Sequence, residues 1–430
     1  MPRVMLLIPS ASYRAPDFMA AAARLGVEVV VGTDIANPLQ GAERGGDAGG
    51  LIALDFARPE HGAAQIEAYA TLHPLDTIVA VDDGGTLLAA WAARRLELPH
   101  NTVAAVEATR DKSLMRARLA AAGIAGPAWR VLPVTLDPTT VARTLDYPLV
   151  VKPLALSASR GVIRADTPEE FVAAFRRVTA ILASPEAAEE CGAEYADRVL
   201  VEGYIAGTEV SIEGLLDGGR LRVLAIFDKP DPLVGPFFEE TIYVTPSRLP
   251  EADQRLLVET AEATCRALGL THGAVHAELR LSAPAAEGGV AYPIDVAARS
   301  IGGLCSRTLD FGTGMSLEEL ILRHAIGAEV RAYARDARDA HEEAREEQAA
   351  GVMMIPIPRA GTLRAVRGVE AAEAIPLIES VTISIRPGGT VVPLPEGTEY
   401  LGFIFARGDR AEDVERALRD AHAALTFEIA

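Results

Sequence analysis

Cysteine is scarce. Three residues, Cys191, Cys265 and Cys305, stand far apart and odd in number among 430 positions. Neither a disulfide framework nor a zinc cluster has the spacing it requires, so the cysteines read as reduced and structural. Long apolar runs are lacking too: no stretch approaches the ~20 consecutive apolar residues of a membrane-spanning helix. The opening MPRVMLLIPS passes straight into a strand pattern with no signal-peptide cleavage region, and the expectation is a cytoplasmic protein with no membrane partner. Positive charge is in deficit, with 41 Lys and Arg against 60 Asp and Glu, a net of −19. Such a balance opposes nucleic acid, because phosphate contacts need a basic face that is not evident here. Small anions remain open to it, since a local Lys/Arg cluster acts at contact range, well inside a field screened over ~10 Å. Internal repeats and low-complexity tracts are absent as well.

What is present is a chain with 49% hydrophobic residues, ample for two or three packed cores. VMLLIP (4–9), a helical stretch at 15–26 and VEVVVG (27–32) form a β-α-β unit, followed by LIALDF (51–56) and TIVAVDDGG (77–85). This alternation predicts a parallel sheet with helices on its faces, an α/β domain whose apolar character makes a homodimer reasonable. VDDGG is either a ligand site at a strand end or a plain loop. From residue 108 the pattern changes to α+β with antiparallel strands at 147–154, 200–205, 209–216, 222–229, 274–281 and 289–297, and a helix at 251–269. DGG (217–219) reads as a hairpin turn. The charged run at 335–349 reads as a solvated helical connector, and the remainder as a small α+β domain ending in a helix at 409–425.

IDVAARSIGG (294–303) raises the chemical question, because Asp295 and Arg299 follow an apolar strand. Period-2 alternation sets His276, Glu278 and Arg280 on one face, and Asp295, Ala297 and Arg299 on one face of the next strand. If the strands are neighbours, Glu278 and Asp295 converge, and paired buried carboxylates call for a compensating divalent cation such as Mg²⁺. The plain alternative is an ion pair between Asp295 and Arg299. Lys152 ends an apolar strand and precedes a hydroxyl-rich loop with Ser157, Ser159, Arg160 and Gly161, whose N–H groups can cradle phosphate; a Ser/Gly turn is the bland version. Lys112 can equally be a solvated helix residue, Glu202 and Glu209 can frame an ordinary hinge, and His276 can be hydrogen-bonded within its sheet.

Taken in order, RDKSLMRARLAAAGI, PLVVKPLALSASRGV, VLVEGYIAGTEVSIEGL, VHAELRL and IDVAARSIGG resemble the ATP-grasp superfamily over about residues 105 to 325, and within it the carboxylate–amine ligases of the L-amino-acid ligase type. DKPDPLVGPFFEET (228–241) looks like a substrate loop, and the flanking regions extend the likeness over nearly the whole chain. The resemblance implies an N-terminal α/β domain over 1–105, a two-lobed ATP-grasp domain over 106–328, a connector over 329–350 and a C-terminal domain over 351–430. It further implies that Lys112, Lys152 and the Ser157–Gly161 loop with Arg160 meet ATP phosphates, that Glu202 and the backbone of Tyr204 and Ile205 hold adenine, and that Glu209 holds ribose. Glu278 and Asp295 would ligate Mg²⁺, with Mn²⁺ an alternative, and Arg299 would stabilise the phosphoryl group or the substrate carboxylate. His276, Glu239, Glu240, Gly302 and Gly303 would line the site for a small carboxylate and an amine.

The family pattern is broken in two places. Asp295 stands where Glu is usual, and Ala297 replaces the Asn that supplies a further oxygen, so a second metal ion is the element in question. The implied reaction is ATP-driven amide formation through an acyl phosphate. A carboxylase-like enzyme making carboxyphosphate and a non-catalytic nucleotide-binding module are the alternatives.

Overall fold

The computed structural model describes residues 1–10, 12–34, 50–192, 195–311, 314–330, 335–336 and 348–430. The N-terminal sheet is parallel, in the order Leu51–Ala53, Glu28–Thr33, Arg3–Leu7, Thr77–Ala80. Its central strand serves two cores. Val4 and Leu6 pack toward Phe18 and Ile321, whereas Met5 and Leu7 pack toward Ile66 and Leu88 on the other face. That two-sided burial is why VMLLIP shows no polar alternation. VDDGG is a strand-to-helix junction. Pairing stops at Ala80, Asp83 opens the Asp83–Arg95 helix, and Gly85 lies close enough to the sheet that an added Cβ would sit 3.2 Å from Leu7 Cβ.

The helical pattern around 108–124 is two helices, Val103–Arg110 and Lys112–Ala121. Asp111 separates them in an extended conformation, and its carboxylate caps the second helix by accepting from the N–H groups of Ser113 and Leu114. Lys112 therefore begins a helix and lies at its buried end.

A four-stranded antiparallel sheet, ordered Trp129–Pro133, Arg198–Gly203, Leu149–Pro153, Ile163–Ala165, carries the Pro168–Leu182 helix on one face. The larger sheet runs Ala291–Ala297, Gly273–Leu281, Thr208–Asp217, Arg220–Asp228, Ile242–Thr245, Ala349–Ile355, Gly402–Gly408, Ile378–Ile383. Gly218 and Gly219, at φ 59° and 81°, make the tight turn expected at DGG. The sheet crosses residue 350 unbroken, because Ile242–Thr245 pairs with Ala349–Ile355, so the C-terminal strands share it with the central region. The terminal helix spans Ala411–Ala424 and is followed by a further strand, Thr426–Ile429.

The expected helical connector falls largely outside the described residues; Arg335–Asp336 pairs as a short strand with Arg222 and Val223 rather than opening a helix. Among the described residues, no helix is long and apolar enough to cross a membrane.

Candidate functional site

Glu278 and Asp295 are register partners on adjacent antiparallel strands, directly opposite one another. The sequence expectation that these two carboxylates share one face follows from that pairing. A bulge after Glu278 shifts the register, so that Leu279 faces Pro293. Lys112 approaches Asp295 at 3.3 Å, and its ammonium also donates to the carbonyl of Leu156 at 3.1 Å. One lysine thus ties the start of its helix to both the metal-ligand candidate and the phosphate-loop candidate.

Glu202 is taken up by two cations. Its carboxylate pairs with Lys152 at 2.5 Å and accepts from Arg116 at 2.8 and 3.2 Å. Burial alone would raise this carboxyl, but Arg116 and Lys152 outweigh it and hold it down at about 2. Lys152 is correspondingly lowered, burial being the larger influence and Glu202 the opposing one. Part of the expected adenine-binding set is engaged within the chain: both Glu202 oxygens are paired, the Tyr204 N–H donates to Pro148, and the Ile205 carbonyl accepts from Arg280 at 2.6 Å. Tyr204 presents its ring to the Arg164 guanidinium, 4.1 Å away.

Glu209, expected at the ribose, belongs to an acidic cluster. Oxygens of Glu209, Glu240 and Glu278 lie within 4.8 Å of one another, and the ammonium of Lys229 stands among them, 2.8 Å from Glu209, 3.3 Å from Glu278 and hydrogen-bonded to Glu240. Arg280 supplies a second cation to Glu209 at 2.6 Å. Burial and the facing carboxylates push Glu240 up to about 7 despite Lys229. Glu278 is held well below the usual range, since Lys229 and His276 overcome its burial. Lys229 itself is raised, because three carboxylates outweigh desolvation. Lys229 lies in DKPDPLVGPFFEET and is not among the site residues expected from the sequence. The available signal was the one that marked Lys152, a lysine closing an apolar strand, here RVLAIFDK.

His276 is hydrogen-bonded within the sheet, the bland version of its two readings. Its Nδ1 meets buried Glu213 at 3.2 Å and its Nε2 meets Glu278 at 3.5 Å. Glu239 is half-buried, raised by that burial, and accepts an N–H from Ile357. Ser157 and Arg160 both reach Glu190, at 3.1 and 3.2 Å. Ala158, Ser159 and Gly161 all have positive φ, bending this loop sharply, and the Gly161 N–H donates to the carbonyl of Pro395.

Alternation does not carry Arg299 onto the face of Asp295. The strand ends at Ala297, and Arg299 leaves it to pair with Asp83, the first residue of the Asp83–Arg95 helix of the N-terminal domain, at 2.7 Å. The ion-pair alternative, Asp295 with Arg299, is replaced by two separate pairs, Asp295 with Lys112 and Arg299 with Asp83. The Gly303 N–H donates to the Tyr13 hydroxyl at 2.6 Å, and Gly303 has φ 62°, where a Cβ would come within 2.7 Å of the Met354 sulfur, so the position favours glycine.

Residues 145–308 match the model of the ATP-grasp domain, residues 19–100 that of the ATP-grasp N-terminal domain, and residues 353–430 that of the L-amino acid ligase C-terminal domain 2. The chain carries an ATP-grasp domain. Among solved structures, this ATP-grasp chain is similar over 100% of its length to 99% of an L-amino acid ligase from Bacillus licheniformis, at 26% identity and a TM-score of 0.81. It is 32% identical over 240 residues to the alanine–anticapsin ligase of Bacillus amyloliquefaciens, covering 53% of this chain and 50% of that one. It is 27% identical over 244 residues to the D-alanine–D-alanine ligase of Verminephrobacter eiseniae, covering 54% and 67%. The chain thus spans about half the length of the curated alanine–anticapsin ligases it matches.

ATP-grasp domains use ATP and divalent metal ions, and the donors here suit a hard cation. Mg²⁺ needs only one or two carboxylates beside phosphate oxygens and water. Glu278 and Asp295 supply two from facing strand positions, and the Asp295 side chain keeps 36% exposure. Ala297, opposite His276, offers no third oxygen.

Proposed function

We propose that this protein is an ATP-dependent carboxylate–amine ligase that forms an amide or peptide bond between amino acids or similar small acids. The observation that carries the reading is the facing pair Glu278 and Asp295, flanked by Lys112, in a chain similar over its whole length to an L-amino acid ligase.

A carboxylate resists attack by an amine because its leaving group would be oxide. In the proposed reaction, a substrate carboxylate oxygen attacks the γ-phosphorus of ATP and ADP departs. The amine nitrogen then adds to the carbonyl carbon of the acyl phosphate, phosphate leaves with the C–O bond electrons, and the nitrogen loses a proton. Such phosphoryl transfer asks the protein chiefly for positioning and charge neutralisation. Lys112 and Lys152 offset charge on the phosphates, each already held by a carboxylate partner. Glu278 and Asp295 would hold Mg²⁺, which supplies charge compensation to the phosphates when bound. Arg299 receives the incoming anion. The 154–161 loop shields the acyl phosphate from water, whose attack would waste ATP. Glu239 and Glu240 face the amine side.

The test is ADP release across a matrix of amino acids, small carboxylates and amines, with mass detection of the product. The expected result is ADP formation that requires both an acid and an amine and gives their condensation product. Release stimulated by bicarbonate alone, or by no pair at all, overturns the reading.

A further inference from the structure

Four of the five residues of the segment 299–303 are fixed by side chains from distant parts of the chain. Asp83 holds Arg299. Arg14 donates to both the carbonyl and the hydroxyl of Ser300, at 3.2 and 2.5 Å. Glu213 accepts the Ile301 N–H at 3.0 Å, and Tyr13 accepts the Gly303 N–H at 2.6 Å. Tyr13, Arg14 and Asp83 all come from the N-terminal domain, where Arg14 also donates to the carbonyl of Val81, two residues before Asp83. The N-terminal domain therefore grips the segment, through the residues that open two of its helices, by backbone and side chain together.

The hydrogen bonds of Arg299 say what this grip does. One oxygen of Asp83 accepts from Nε at 2.9 Å and from Nη2 at 2.7 Å, and Nη1 donates to the carbonyl of Ser300 at 3.0 Å. A guanidinium carries five N–H groups. Three are engaged, which leaves one on each terminal nitrogen, the pair with which arginine grips two oxygens of a carboxylate or phosphate. Asp83 stays ionised because the Arg299 guanidinium, with Arg110 and Lys112 behind it, overcomes the burial that would raise its carboxyl.

We propose that Asp83 is a positioning residue for Arg299, clamping one edge of the guanidinium so that its two remaining N–H groups face the reacting anion. This rests on the ligase reading of Arg299. The consequence is that acid activation depends on the N-terminal domain being docked.

The test uses full-length D83N, D83E and D83A. In D83N, kcat/KM for the activating acid falls about 10- to 100-fold, the range for losing a group that orients a working ligand. ATP affinity, read by calorimetry, and the melting temperature stay near those of the parent protein. D83E recovers part of the loss, and D83N combined with R299K falls no lower than R299K alone. Parental kcat/KM in D83N, or additive losses in the double variant, overturns the proposal. So does a parallel collapse of ATP affinity and melting temperature, which would mark a merely structural role. A separate readout needs no turnover: the Arg299 Nε–H signal in ¹⁵N spectra exchanges faster with solvent in D83A. If no acid stimulates ADP release by the parent protein, the ligase reading fails, yet this signal still decides the clamp, and unchanged protection in D83A overturns it.

Discussion

Glu202 lies 2.5 Å from the Lys152 ammonium and 2.8 Å from Arg116 Nε, so one buried carboxylate neutralises cations from a strand and a helix. Arg116 also donates to the carbonyls of Pro293 and Ile294, the two residues before Asp295. The network therefore runs from the inner strand of the smaller sheet to the metal-ligand candidate. Glu202→Gln keeps the shape and removes the charge, leaving Lys152 and Arg116 buried without a counter-ion. Breaking a buried pair on one side costs on the order of 3–5 kcal/mol. Denaturant unfolding should show that loss as a lower midpoint with an unchanged slope, and a shift under ~1 kcal/mol would deny the network its role.

Glu278 and Asp295 face each other but are balanced by different cations, Lys229 and Lys112. Asp295→Asn should reduce amide formation by at least ~100-fold, on the scale of losing a group that stabilises transition-state charge, with the melting temperature close to that of the parent. Mn²⁺ binding in the presence of ADP, followed by magnetic resonance, should weaken in step. Chelation of divalent ions should stop the parent enzyme, and restored Mg²⁺ should recover it. Normal turnover in Asp295→Asn would remove this residue from the ion site.

The part of the site legible in the sequence is local. Lys152 closing YPLVVKPL and Glu278 and Asp295 on successive strands each announce themselves within a few residues, because period-2 alternation and strand ends are short-range features. The Glu209–Glu240–Glu278 cluster was not legible, since strand pairing alone brings together residues separated by as many as 71 positions, the span from Glu209 to its other cation, Arg280. Arg299 and Asp83 are 216 positions apart and meet only when two domains pack. Continuity of the large sheet past residue 350 was hidden for the same reason. The break at Asp111 was readable: Asp followed by Lys-Ser, with its carboxylate accepting two N–H groups, is an ordinary helix start inside an otherwise helical run.

Lys229 holds three carboxylates together, so Lys229→Met should leave them in mutual repulsion inside a buried site. A loss on the order of 3–5 kcal/mol is expected. A soluble cation can partly replace the missing ammonium, because carboxylate oxygens within 4.8 Å of one another form a natural divalent site. Thermal unfolding of the variant should therefore rise with millimolar Mg²⁺ or Ca²⁺ by more than that of the parent protein does. Equal responses would show that the cluster does not need Lys229 for its charge balance.

Acid sensitivity between neutrality and pH 4 should arise in part at the His272–His324 contact, where the rings lie 4.7 Å apart. Burial, then His324, with a smaller push from His100 and an opposing pull from Asp217, lowers His272 to about 4, and burial lowers His324 as well. A histidine lowered in the folded state binds its proton more readily when the chain is unfolded. Stability should therefore be intact above the unfolded value of ~6.5 and decline as pH falls toward 4. His272 keeps some contact with solvent, which limits its share to about 1–2 kcal/mol. Denaturant midpoints at pH 7 and pH 5 measure the effect. His272→Asn should flatten the difference between them; a slope identical to that of the parent protein would remove this contact from the acid response between pH 7 and pH 5, to which Glu202 adds nothing because its own loss begins only below ~4.5.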